Sequence, residues 1–189
     1  MADRGILVTG GAGFVGRRFV KRLLGLGHRV TVVDDLSTGL APAAWPDFLR
    51  PDADEQRRLT FHHADFRRFA AGQPPDFDRI FHLAAVVGGR LVIEGDPLAV
   101  ATDLAIDATF FNWIARHRPA PARVVYFSSS AVYPIADQRR DNHPLLAETS
   151  VDFGDVIGMP DMTYGWAKLT GELLARHAAE KYGLAVSVY

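Results

Sequence analysis

A three-layer α/β/α domain on a doubly wound parallel sheet is the fold this sequence predicts, on three observations. Short apolar runs bounded by turn residues alternate with segments of helical period, the pattern of parallel strands covered on both faces. The first run, Ile6-Leu7-Val8-Thr9, passes directly into Gly10-Gly11-Ala12-Gly13-Phe14-Val15-Gly16, a glycine turn that opens a helix. The second, Arg29 to Val33, ends on Asp34, eighteen residues after Gly16.

Taken in order, the strands are expected at Gly5 to Thr9, Arg29 to Val33, Leu59 to His63, Arg79 to Leu83, Arg123 to Ser128 and Leu184 to Tyr189. Helical period places helices at Phe14 to Leu26, Pro97 to His117 and Thr163 to Tyr182, with a shorter piece near Phe66 to Ala71. The Pro- and Asp-rich stretch from Ala41 to Arg58 reads as a loop with little regular structure. Ile135 to Asp161, carrying Pro144 and Pro160, reads as a second long loop of the kind that is often functional. There is no internal repeat and no low-complexity tract.

With 189 residues the chain suits a single domain, residues 1–189. The net charge of -1 and the mixing of acidic and basic residues leave no basic stripe for nucleic acid, so small molecules are the expected partners. The absence of cysteine excludes disulfides, thiolate nucleophiles and Cys-ligated zinc. No leader precedes the first strand and no window approaches 18 uninterrupted apolar residues, so the expectation is a cytoplasmic protein without a membrane partner.

The glycine turn has the chemistry of a dinucleotide site. Gly10 permits the tight turn, Gly13 lets the backbone approach a pyrophosphate, and Gly16 lets the helix pack close, with Phe14 and Val15 at the helix N-terminus facing the phosphates. The Asp34 carboxylate suits the adenosine ribose hydroxyls, and a second acid, Asp35, disfavours a 2′-phosphate, which makes NAD the expected cofactor. Tyr164-Gly165-Trp166-Ala167-Lys168 puts a phenol and an ammonium one turn apart on one helix face, where the cation favours the phenolate. Taken alone, such a pair is more often the mark of a plain amphipathic surface. What favours chemistry is the strand ending in Ser128-Ser129-Ser130, at the edge of the sheet where ligands bind.

With these motifs in place, the chain resembles the extended short-chain dehydrogenase/reductase family from Gly5 to Tyr189, whose members act on nucleotide-linked sugars. The resemblance implies Gly10, Gly13 and Gly16 under the pyrophosphate, Asp34 on the ribose, and Asp65 and Phe66 beside the adenine. It lays His82-Leu83-Ala84-Ala85 along the cofactor. Tyr164 is then the catalytic base, Lys168 holds the nicotinamide ribose and tunes Tyr164, and the catalytic serine is Ser129, counted back four from Tyr133, or Ser130. Arg90 and Glu148 either border the substrate pocket or are solvated charges. The family pairs the helices at 97–117 and 163–182 across a homodimer interface. It also carries a C-terminal domain that grips the substrate nucleotide, expected to be absent from this chain.

The departures narrow the expected chemistry. Family dehydratases carry an Asp or Glu after the catalytic Ser or Thr, where this chain has Ser130 and Ala131. Val87-Gly88-Gly89-Arg90 and Pro134 look like the GDP-fucose synthase and GDP-mannose 3,5-epimerase branch, which uses a Cys where this chain has Ala131. What remains is hydride transfer with one phenol: C4 inversion through a 4-keto sugar. Alternatives are a 4,6-dehydratase, reductase or 3,5-epimerase with its proton shuttle at His143 or Glu148, and a non-catalytic NAD-binding sensor or scaffold. Where the family often has an Asn early in the helix from Pro97, this chain has Asp103 and Asp107. His62, His63 and His82 lack metal-site spacing and are expected to be capped or partly buried, Phe110, Phe111 and Trp113 are expected to pack, and no metal is expected.

Overall fold

The computed structural model describes residues 4–86, 90–117, 120–138, 145–154 and 157–189. Its strands are β1 (Ile6–Thr9), β2 (Val30–Asp34), β3 (Leu59–His63), β4 (Arg79–His82), β5 (Arg123–Tyr126) and β6 (Val186–Val188), in the sheet order β3-β2-β1-β4-β5-β6. Every pairing is parallel. Thr9 aligns with Val33 on one side and His82 on the other, so β1, β2 and β4 release their loops at one level. The chain order reverses at β1, and a crevice opens there outside the carboxyl ends of the strands.

The helices are α1 (Gly16–Gly25), α2 (Ala53–Arg58), α3 (Phe66–Gly72), α4 (Arg90–Gly95), α5 (Pro97–Val100), α6 (Thr102–Arg116), α7 (Ile135–Gln138) and α8 (Met162–Tyr182). Strand alternation divides the core in two. Ile6 and Val8 point to a cluster with Val20, Leu24, Val32 and Trp45, while Leu7 points to the opposite cluster with Ile80, Phe110, Ile114, Val124 and Tyr126. Leu7 is 0% exposed, so truncating it to alanine removes about 2–5 kcal/mol. The long α8 ends at Gly183, whose φ of 68° closes the helix in the left-handed region that glycine adopts without strain.

All six expected strands are present, and the differences lie in the helices. Ala41 to Arg58 is more ordered than its composition implies: Pro42–Ala44 forms a 3-10 turn, and α2 is started by a reciprocal capping box between Asp52 and Glu55. Trp45 and Leu49, 0% and 6% exposed, anchor this segment in the core. The single helix expected at Pro97 to His117 breaks at Ala101 into α5 and α6, and α4 precedes it. Within the loop expected at Ile135 to Asp161, α7 and a 3-10 turn at Glu148–Ser150 form. By length and hydropathy alone Pro97–Arg116 could cross a membrane, with a mean hydropathy of 1.3. Here its Phe110, Phe111, Trp113 and Ile114 pack into the core, as expected for the aromatic residues.

Candidate active site

A cavity of about 450 Å³ occupies the crevice at the strand-order reversal. Its lining includes Gly10, Gly13, Phe14, Val15, Gly16, Asp34, Asp35, Asp65, Phe66, Leu83, Ala84, Ala85, Tyr164 and Lys168. The glycines are needed for close approach. A Cβ on Gly10, whose φ is 67°, would meet the Ala84 nitrogen at 2.7 Å, and one on Gly16 would run into the Gly10 carbonyl. Gly13 meets only the Gly10 carbonyl, at 3.3 Å, and otherwise faces open space, where a ligand backbone can come near. Gly11 is a further constrained position, since its Cβ would meet Val32 at 2.8 Å.

Asp34 does two jobs at the end of β2. Its Oδ2 accepts the Ala12 amide at 2.9 Å and its Oδ1 the Leu36 amide at 2.8 Å, so the carboxylate straps the glycine turn while its remaining lone pairs line the cavity. Asp35 is exposed and accepts the Ser37 amide at 2.9 Å. Asp65 caps α3, and the Arg67 guanidinium bonded to it holds its carboxyl below the usual range. Ser37, Thr38, Val86, Ile106, Phe127 and Ser128 also line the cavity. Only Ser128, in the serine run that follows β5, is signalled by a motif; the others are brought there by loops and core elements that meet only in the fold.

At the other end of the cavity stand the phenol and the ammonium. Tyr164 and Lys168 are 9% and 3% exposed. The start of α8 is drawn against the turn after β5 by the Asp161 amide, which donates to the Ala131 carbonyl at 2.9 Å. Gly165 makes this approach feasible, since a Cβ there would strike that carbonyl. The contact brings Ser129 to Tyr164. Burial pushes the phenol above its ordinary range, a hydrogen bond with the Ser129 hydroxyl works the other way, and the Asp103 and Asp107 charges add to the rise. Ser129 also caps the 3-10 turn Ser130–Val132, its Oγ accepting the Ala131 amide at 3.2 Å, while Ser130 is exposed. Ser128, not its two successors, lines the cavity, and its hydroxyl donates to Glu172.

Glu148 is exposed and is not part of this lining. Arg90 opens α4, but its side chain lies outside the described residues, as do Val87, Gly88, Gly89 and His143.

His82 corrects the expectation of a capped or partly buried histidine. It is 1% exposed and sits in a fully bonded chain beneath the cavity floor. Its Nε2 lies 3.2 Å from Asp107 Oδ1, its Nδ1 2.7 Å from Thr9 Oγ1, and Thr9 Oγ1 accepts the Ala84 amide at 3.2 Å. Burial lowers the imidazole pKa, so the ring is neutral. With a carboxylate as acceptor at Nε2, that nitrogen carries the proton and Nδ1 accepts from Thr9. The Tyr126 hydroxyl completes the network by donating to Asp107 Oδ2 at 2.5 Å. These bonds lock the ends of β1 and β4 together where Leu83-Ala84-Ala85 lines the cavity.

Comparison with known proteins agrees with this geometry. Residues 6–189 match the NAD dependent epimerase/dehydratase family. The chain belongs to that family. Among curated relatives of this epimerase/dehydratase family, the chain is 30% identical to the probable UDP-arabinose 4-epimerase 3 of Arabidopsis thaliana, over 97% of this chain and 42% of that protein. It is 29% identical to the dTDP-glucose 4,6-dehydratase of Shigella flexneri, over 97% of this chain and 52% of that one. Among solved structures, the UDP-N-acetylglucosamine 4-epimerase of Methanobrevibacter ruminantium M1 superposes with a TM-score of 0.72 at 26% identity, covering 100% of this chain and 54% of that one. The chain thus spans about half the length of the proteins it matches. NAD is the cofactor of the family, and the cavity fits it: three glycines leave no Cβ in the phosphate turn, and an acid ends β2.

Proposed function

We propose that this chain is the dinucleotide-binding, catalytic half of an NAD-dependent nucleotide-sugar epimerase that inverts C4 through a 4-keto sugar. The observation that carries the reading is the meeting of Tyr164, bonded to Ser129, with the glycine turn in one cavity. NAD, when bound, supplies the hydride acceptor and donor. Gly10, Gly13 and Gly16 with the α1 N-terminus hold its phosphates, Asp34 the ribose hydroxyls, and Asp65 and Phe66 flank the adenine. Tyr164 takes the proton from the C4 hydroxyl and returns it, Ser129 orients that hydroxyl, and Lys168 favours the phenolate and holds the second ribose.

Inversion at C4 needs no further acid, whereas dehydration or inversion at C3 or C5 does. The positions after Ser129 supply none, and Glu148 stands outside the cavity. The dehydratase reading keeps the support of the Shigella flexneri relative. Exposed Leu104 on α6 and Trp166 on α8 support a homodimer paired through these helices, which sedimentation equilibrium tests.

The deciding experiment is turnover in D₂O with NAD and a panel of UDP- and GDP-linked sugars, with products read by NMR. C4 inversion without ring deuterium is the expected result. Deuterium at C3 or C5 would transfer the assignment to a dehydratase or 3,5-epimerase, and NAD binding without any turnover, in the longest form of the protein that can be prepared, would leave a sensor or scaffold.

A further inference from the structure

Behind Lys168 lie two carboxyl groups that the reaction above does not use. Asp103 and Asp107 stand one turn apart on α6, 0% and 1% exposed. Asp107 is fully partnered by His82 and Tyr126. Asp103 is not: its Oδ1 accepts the Val86 amide at 2.5 Å, but its Oδ2 is buried without a hydrogen-bond partner among the described residues. An ionised carboxylate in such a place requires a compensating positive charge nearby.

The groups facing it decide where that charge comes from. Asp107 shares its helix and adds negative charge, His82 of β4 is neutral, and the Tyr126 hydroxyl of β5 donates its hydrogen bond to Asp107. From α8 come Tyr164 and Lys168, and Lys168 is the cation whose field reaches Asp103. The Lys168 ammonium lies 5.0 Å from the centre of the Tyr126 ring, whose hydroxyl is bonded to Asp107 of α6. One turn further along α8, Gly171 permits the close packing of the two helices, since a Cβ there would meet Asp107 Oδ2 at 2.7 Å. Val86, whose amide Asp103 holds, lines the cavity.

We propose that Asp103 is a positioning residue of the acid–base pair: its free Oδ2 draws the Lys168 ammonium toward α6 and its charge opposes the phenolate of Tyr164. This rests on reading Tyr164 and Lys168 as that pair. Asparagine at this position offers Val86 the same oxygen without the charge. Aspartate therefore adds one negative charge close to the reacting phenol, and Tyr164 ionises at a higher pH than its lysine alone would allow. Burial pushes the Asp103 carboxyl up to about 6, which leaves it ionised in most molecules at neutral pH.

The test is a spectroscopic titration of Tyr164 in the NAD-loaded protein, following phenolate absorbance with the Tyr164→Phe protein as blank for the other four tyrosines. Asp103→Asn should move the Tyr164 midpoint down by about half a pH unit or more. A midpoint that stays or rises overturns the proposal, and a merely structural role for Asp103 would not move it. If Asp103→Asn does not fold, Lys168→Met decides: carboxyl ¹³C NMR should show the Asp103 midpoint rising above about 6, and an unmoved midpoint overturns the proposal. Neither readout requires turnover. Retained turnover in Tyr164→Phe would instead overturn the acid–base reading.

Discussion

Tyr164 and Asp103 are two acids that burial pushes in the same direction, each above its ordinary pKa. Removing the phenol oxygen in Tyr164→Phe takes away the proposed proton carrier while leaving the glycine turn and Asp34 in place. Turnover should fall about 10²- to 10⁴-fold, with the Kd for NAD nearly unchanged, as steady-state kinetics and calorimetry would show. Asp103 carries a stability signature as well. Its carboxyl, raised from 3.8 to about 6, binds a proton more tightly in the folded chain than in the unfolded one. The stability it contributes is therefore complete below about pH 4 and is lost as pH rises through about 6. Asp103→Asn should be the more stable protein at neutral pH, by about 1–3 kcal/mol, with the gap closing in acid; urea midpoints measured across pH 4 to 8 check this.

Among the elements, the central strands were legible because each carries a short apolar run between turn residues, and parallel strands buried on both faces leave that mark, whereas the edge strands β3 and β6 hold no buried residue. The helix α2 was not, because Pro46, Pro51 and several aspartates gave its surroundings the composition of a loop. Its signal was the spacing of Asp52 and Glu55, which is a capping box. Asp52→Ala should cost about 1 kcal/mol in urea denaturation without changing NAD affinity, since α2 lies away from the cavity. The His82 network was hidden for a different reason. Thr9, His82, Asp107 and Tyr126 come from four elements, and no local pattern announces that their polar atoms converge. Gly171 belongs to the same contact between α6 and α8, and Gly171→Ala would press a methyl group into the Tyr126 hydroxyl. The expected outcome is a loss of about 1–3 kcal/mol, read from the same denaturation curves.

At the scale of the whole molecule, much of the cavity lining was readable because a glycine turn and a strand-ending acid stand close together in sequence. The positions of Ser128 and Asp103 depend on how distant elements pack. One long-range link has a practical use. The Trp45 indole donates to the Leu40 carbonyl at 2.5 Å, and the Leu40 amide donates to the Ala12 carbonyl in the glycine turn at 3.1 Å. Trp45 and Trp113 are buried and Trp166 is half exposed, so the emission of Trp45 is isolated by subtracting that of the Trp45→Phe protein. A ligand that settles on the glycine turn should alter Trp45 emission through this two-bond tether, and Trp45→Phe should abolish the change. The protein thus carries a built-in fluorophore tied to its glycine turn, which should follow binding in real time without a label or a turnover assay.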